Sequence, residues 1–351
     1  MCHSIYTEHV PQGNFMKRAF LFLAVAMLYC NFSLAQEPDP DPNLLWKTEN
    51  GYDRFLVHPN GNILAGKGFT EVELDGNTGE IIREFPHPIA VFYDVSPDGK
   101  YISGLADSNR RCVIDYDSEE ILEKFTTSNS SPKFMPDNKT LIYSLEEPGS
   151  GAFKLASFNM ETNQHSLSPN NFENTQIGNP SISPDGRFVA TGGWYYRTNN
   201  EGDTHLLLWD AQTLEPIRVL GEFENFNEVR SIKFSPDSRL VGFGVYPDDL
   251  NIYETENLSH FKYDGSIYGF GFVTSDFIAI GNGKIDPPEL NLVKLETDQI
   301  IYSINNSGGS ALHNKDNNTM IVIYGHLYCY DFEKILSGAS IKTEIQNPFT
   351  V

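Results

Sequence analysis

The chain has 351 residues and a formal charge of -22 at pH 7, with 47 acidic against 25 basic side chains. An acidic surface of this size repels phosphate backbones, and no basic track offsets it, so nucleic acid is excluded as a partner and a soluble protein is favoured. Four cysteines, with neither CxxC spacing nor a histidine cluster beside them, offer no metal site, and nothing in the composition implies a cofactor.

The N-terminus reads as an address. Met16-Lys17-Arg18 supplies a positive start, 19–29 is an unbroken apolar run, and Ser33-Leu34-Ala35 before Gln36 has the small residues of a cleavage site. The run falls short of the ~20 residues that span a bilayer. Residues 1–35 therefore divide into an extension upstream of Met16 and a leader cleaved after Ala35, which predicts a secreted, periplasmic or cell-surface protein without a transmembrane segment. Lipid attachment through Cys30 is disfavoured by the bulk of Tyr29 before it. Cleavage removes Glu8, Lys17 and Arg18, so the mature chain is one unit more negative. Residues 36–43, with Glu37-Pro38-Asp39-Pro40-Asp41-Pro42, form an extended spacer.

From Leu44 onward two series of short motifs run in step. The first is a turn: His58-Pro59-Asn60-Gly61, Ser96-Pro97-Asp98-Gly99, Met135-Pro136-Asp137-Asn138, Ser183-Pro184-Asp185-Gly186 and Ser235-Pro236-Asp237-Ser238. Proline presets φ at the first central position, Asp or Asn suits the second, and Gly tolerates the exit. Thr274-Ser275-Asp276 and Lys315-Asp316-Asn317 are weaker versions. The second series ends apolar alternating runs: Leu74-Asp75, Tyr116-Asp117, Phe158-Asn159, Trp209-Asp210, Tyr253-Glu254, Leu295-Glu296 and Tyr330-Asp331, at steps of roughly 42, 42, 51, 44, 42 and 35 residues. Short β-branched and aromatic runs bounded by Gly, Pro, Asn and Asp, with no helical period long enough to compete, make 44–336 all-β. The period is that of a four-stranded blade, which predicts a seven-bladed β-propeller of antiparallel sheets.

Apolar segments just past the acidic turns, such as 81–85, 121–125, 217–220 and 300–304, are the outermost strands. Leu44-Leu45-Trp46-Lys47 has the same character but precedes the first blade, so it is expected to complete the seventh blade and close the ring. Cys112 and Cys329 then fall in the second and seventh blades with the first between them, too far apart to bridge, and two buried free thiols are expected.

These repeats resemble the WD-repeat β-propellers over about Leu44 to Leu336. One unit keeps the literal Trp209-Asp210 dipeptide; the family's Gly-His opening is missing from its place in every repeat, and Gly325-His326 lies between strands. The resemblance implies a divergent bacterial relative, with the family's internal Asp-His-Ser/Thr-Trp hydrogen-bond network incomplete. In the tail, 337–351, Gln346-Asn347-Pro348-Phe349-Thr350 resembles the opening of the C-terminal sorting domain used by Bacteroidetes-type bacteria for type IX secretion; truncation and chance similarity are the two readings of so short a match.

In such a ring the Pro-turns and acidic turns share one face, and the loops on the other face are the variable ones. The candidate there is the blade 4 segment Trp194-Tyr195-Tyr196-Arg197-Thr198-Asn199-Asn200-Glu201-Gly202-Asp203, read as a loop whose rings could stack on sugars or anchor a peptide, with Arg197 and Glu201 as polar contacts. Phe223, Phe226 and Tyr246, with 284–289, are expected to complete an aromatic and acidic rim. Carboxylates on that rim could hold Ca²⁺, but no calcium-loop spacing is present and solvated acids are the preferred reading. Arg110-Arg111 reads as a surface ion-pairing site. The favoured function is a monomeric, non-enzymatic recognition module for a protein, peptide or glycan. The alternative is a propeller enzyme, lactonase-like or quinoprotein-like, acting at the central channel; His58, His87, His165, His205, His260 and His313 are dispersed over different blades, and no catalytic elbow or zinc helix is present.

Overall fold

In the computed structural model the described residues are 41–338, less the short segments 86–90, 108–109, 128–129, 147–152, 170–174, 197–201, 225–228, 246–248, 258, 265–266, 284–287 and 306, together with 349–350. The leader, the start of the spacer, and Arg197, Glu201, Phe226, Tyr246 and His87 lie outside them.

Seven antiparallel sheets follow one another along the chain. Blade 1 comprises Arg54–Val57, Ile63–Lys67, Thr70–Leu74 and Ile81–Glu84. Blade 2 comprises Val91–Val95, Tyr101–Asp107, Arg110–Asp115 and Ile121–Thr126. Blade 3 runs through Lys133–Phe134, Thr140–Glu146, Phe153–Asn159 and Gln164–Leu167. Blade 4 has an inner strand in two pieces, Thr175–Ile177 and Ser181–Ile182, before Phe188–Tyr196, Gly202–Asp210 and Pro216–Glu224. Blade 5 is Val229–Phe234, Leu240–Val245, Asp249–Glu254 and His260–Asp264, with Phe349–Thr350 paired to its outer edge. Blade 6 is Ile267–Phe272, Phe277–Asn282, Glu289–Lys294 and Gln299–Asn305. Blade 7 is Ser310–Asn314, Thr319–Tyr324 and His326–Asp331, and its outer strand is Leu44–Lys47. The one described helix, Phe332–Gly338, seats Phe332 and Ile335 in the seam between blades 6 and 7.

The core is distributed rather than central. Seven apolar clusters occur among the described residues, one in each seam between neighbouring blades. Strand alternation feeds them: Leu206 and Leu208 face blade 5, while Leu207 and Trp209 face blade 3. A third strand must therefore be apolar at consecutive positions, which is why 206–209 reads as a continuous run.

The Pro-turn face is tied together from blade to blade. Residues at the turn exit take positive φ, at Gly61 88°, Gly99 75°, Asn138 62°, Gly186 72° and Ser238 63°. Where glycine is replaced, the side chain bonds the preceding blade: Asn138 Oδ1 accepts from the Asp98 N–H at 2.8 Å, and Ser238 Oγ from the Asp185 N–H at 2.9 Å. His58 Nε2–H donates to the Gly99 carbonyl at 2.9 Å while Nδ1 accepts from the Asn60 N–H, which sets the tautomer. A Cβ on Gly99 would lie 2.8 Å from that ring.

Register corrects two of the strand-end pairs. The residues in line with Leu74-Asp75 are Ile114-Asp115 in blade 2 and Val293-Lys294 in blade 6, two positions before Tyr116-Asp117 and Leu295-Glu296. Asp115 accepts from the Ser118 N–H at 2.9 Å, as Asp75 does from Thr78 and Asp210 from Thr213. Tyr116 instead serves the neighbouring blade. It stacks on His58 of blade 1 with centroids 4.1 Å apart and donates to Glu73.

Candidate functional site

In the blade 4 segment 194–203, Trp194, Tyr195, Tyr196, Gly202 and Asp203 are strand residues, and 197–201 lie outside the described residues. Trp194, Tyr195 and Tyr196 continue the second strand, opposite Thr204, Asp203 and Gly202 on one side, and Trp194 and Tyr195 lie opposite Gln176 and Thr175 on the other. Aromatic residues suit a ladder that has partners on both edges, so Trp194 to Tyr196 stay extended. Phe223 lies opposite Thr204 and packs, half-buried, on the seam between blades 4 and 5. Arg111 is buried, not a surface ion-pairing residue: its Nε donates to the Ser130 carbonyl at 2.9 Å and its guanidinium lies 5.2 Å from the Tyr93 ring centre.

The first two strands of blade 4 run past the rim on the face opposite the Pro-turns. The inner strand breaks at Gly178-Asn179-Pro180, where it carries one residue more than the second strand opposite it, and the Gly178 N–H donates to the Gly192 carbonyl at 2.7 Å. Those three residues line a cavity of about 350 Å³ at the loop-face mouth of the central channel, with Arg54, Tyr93, Lys133, Val229 and Lys233 among its other walls. A second cavity of about 260 Å³ opens toward the Pro-turns and includes Asp94, Lys133, Lys233, Leu312, His313 and Lys315. Leu56, Lys133 and Lys233 line both, so the two chambers meet at a waist.

Strand register defines that waist. One residue per blade stands at the same level of the innermost strands: Leu56, Asp94, Lys133, Ser181, Lys233, Gly271 and Leu312. Lys133 Nζ donates to the Tyr93 carbonyl and lies 3.5 Å from Asp94 Oδ1, and Asp94 Oδ2 accepts from the Phe134 N–H at 2.8 Å. Burial and the nearby Lys133 charge push the Lys233 ammonium down to about 8, opposed by Asp94. Walls of protein surround this lysine although part of its surface still meets channel solvent. At the loop-face mouth Arg54 Nε donates to Glu71 Oε1 at 2.9 Å, and burial raises the Glu71 carboxyl above its ordinary range against that pull.

The dispersed histidines are mostly engaged in blade structure. His165 stacks on Phe158 and bonds Tyr143, His260 stacks on Tyr253 and bonds Asn251, and His58 holds the Gly99 turn. His313 packs on Phe332 with centroids 5.1 Å apart, lies 3.2 Å from Asn318 Oδ1, and also borders the Pro-turn chamber. No group of three or more His, Cys, Asp or Glu is placed to hold a metal among the described residues, and no described helix is long and apolar enough to cross a membrane. Trp209 Nε1–H donates to Thr191 Oγ1 at 2.9 Å, a buried bond between the third and second strands of blade 4. Both Cys112 and Cys329 are buried free thiols.

Sequence reasoning missed the waist. Its signal is the residue two places before each Pro-turn, which places Asp94, Lys133 and Lys233 in otherwise apolar or small company.

No protein-family model matches the sequence, and no curated protein matches it. Among solved structures the chain is similar to the β-propeller domain of Cps50 (Swd1) from Myceliophteria thermophila, with a TM-score of 0.63 and 12% identity, covering 82% of this chain and 99% of that one. It is also similar to Kuenenia stuttgartiensis hydrazine synthase, with a TM-score of 0.58 and 14% identity, covering 82% of this chain and 95% of that one. Likeness at these identities establishes the fold alone: the chain is an all-β, seven-bladed propeller.

Proposed function

We propose that the chain is an exported, non-enzymatic recognition module that binds a protein, peptide or glycan through its loop face. The observation that carries this reading is blade 4. Its three outer strands are nine residues each, against at most seven in any other blade. The extension stands beside the channel mouth and is built from Trp194, Tyr195 and Tyr196, residue types that supply large contact area at small entropic cost. Its outer edge, Pro216–Glu224, has no further strand paired to it among the described residues, and Ile217 and Val219 are exposed there, so an extended peptide could add to it. Export rests on the leader-like run 19–29.

The test compares the wild-type chain with a Trp194→Ala/Tyr196→Ala double variant in partner capture and on a glycan array. Specific wild-type binding that the double variant loses supports the reading; unchanged binding removes the extension as the site.

A further inference from the structure

The channel waist carries more positive charge than its surroundings balance. Asp94 is its single acid among the described residues and is already held by Lys133 and by the Phe134 N–H. Lys233 makes neither a side-chain hydrogen bond nor an ion pair among the described residues, and the other charged groups of the two chambers do not answer it. Arg54 and Glu71 pair with each other, and Lys315 adds a further positive charge on the Pro-turn side. An ammonium surrounded by protein and left without a partner is costly, and an oxyanion entering from the mouth would restore its hydrogen bonds. This local excess stands out in a chain whose net charge is -22.

The walls narrow the chemistry further. Leu56, Val229 and Ile232 are half-exposed to the loop-face chamber, so a ligand there meets apolar surface around one cation that is free among the described residues. A doubly charged phosphate would want a second free cation in that chamber, but Lys133 is committed to Asp94 and Lys315 is exposed and lines only the Pro-turn chamber. We propose that the waist is a binding site for a small organic monocarboxylate, its head on Lys233 and its apolar body against Leu56, Val229 and Ile232. The site stands independently of the blade 4 extension. The depressed basicity of Lys233 is the state that a bound carboxylate would relieve, so affinity should fall as pH rises past about 8.

Calorimetric titration of the full chain with hexanoate, 4-bromobenzoate and inorganic phosphate tests the site, for wild type and Lys233→Met. Saturable binding of both carboxylates, at least tenfold weaker in the variant and weaker still for phosphate, supports it. No binding, unchanged binding in the variant, or phosphate binding more tightly than either carboxylate overturns it. Crystals of the wild type soaked in 4-bromobenzoate give a second reading that does not depend on the variant folding. The bromine anomalous peak should lie in the loop-face chamber with the carboxylate on Lys233 Nζ; a peak elsewhere, or none, overturns the proposal.

Discussion

Trp46 lies opposite Cys329 in blade 7, and its indole N–H reaches the Gly76 carbonyl of blade 1 at 3.3 Å. One side chain near the start of the propeller thus joins the last sheet to the first. The blade 1 turn is shaped around it: Gly79 has a φ of 73°, and a Cβ there would lie 2.6 Å from the Trp46 ring.

Truncating this ring should therefore act on closure. Trp46→Ala is expected to cost about 3–5 kcal/mol, the range for emptying a buried indole site, measured by urea denaturation. Removing 44–47 altogether should in addition expose the edge strand His326–Asp331 and produce concentration-dependent association in light scattering.

Lys233 gives a stability change of the opposite sign. Its folded-state pKa, about 8, lies below the ordinary lysine value of 10.5, so the unfolded chain holds the proton more tightly between those values and stability from this group rises with pH across them. Lys233→Met should raise stability at pH 7 by roughly 1–3 kcal/mol, and the gap to wild type should close as pH approaches the upper value. A destabilised variant, or a gap that is constant from pH 7 to 10, would contradict this environment for the lysine.

Asn138 separates backbone strain from interblade bonding. Asn138→Ala keeps positive φ without the side-chain acceptor for Asp98 N–H and should cost about 1–2 kcal/mol. Asn138→Gly relieves the strain while losing the same bond, so it should lie closer to wild type. Equal losses for the two would assign the whole effect to the hydrogen bond.

Cys329 should be unreactive in the folded chain. Burial pushes its thiol up to about 11, and Cys112 is equally enclosed. A thiol reagent at pH 8 should label neither until denaturant is added, when both react; rapid labelling of native protein would mean that a seam opens.

Much of the ring is legible in the sequence because its turns are chemically explicit. Proline followed by Asp or Asn sets dihedral angles locally, so it marks five blades without knowledge of any contact. Tyr116 misleads because an aromatic before an acid is a weaker signal than register: the true turn residue is Asp115, and Tyr116 packs on blade 1. Trp194 to Tyr196 read as loop because the segment ends in Asn, Glu and Gly, whereas the pairing that keeps it extended comes from Thr175–Ile177, some twenty residues away. Lys133 and Lys233 are invisible for a related reason: they are 100 residues apart, and ring closure makes them neighbours across blade 4.

The closed ring can be tested through the native Cys329. Cross-strand partners in an antiparallel pair have Cα atoms roughly 4.5–5.5 Å apart, within reach of a disulfide. In a Cys112→Ser background, Trp46→Cys should yield on mild oxidation an intramolecular disulfide between position 46 and Cys329, seen by peptide mass mapping, with the β-sheet circular dichroism unchanged. Free thiols, or linkage only between separate molecules, would contradict a propeller closed by its N-terminal strand.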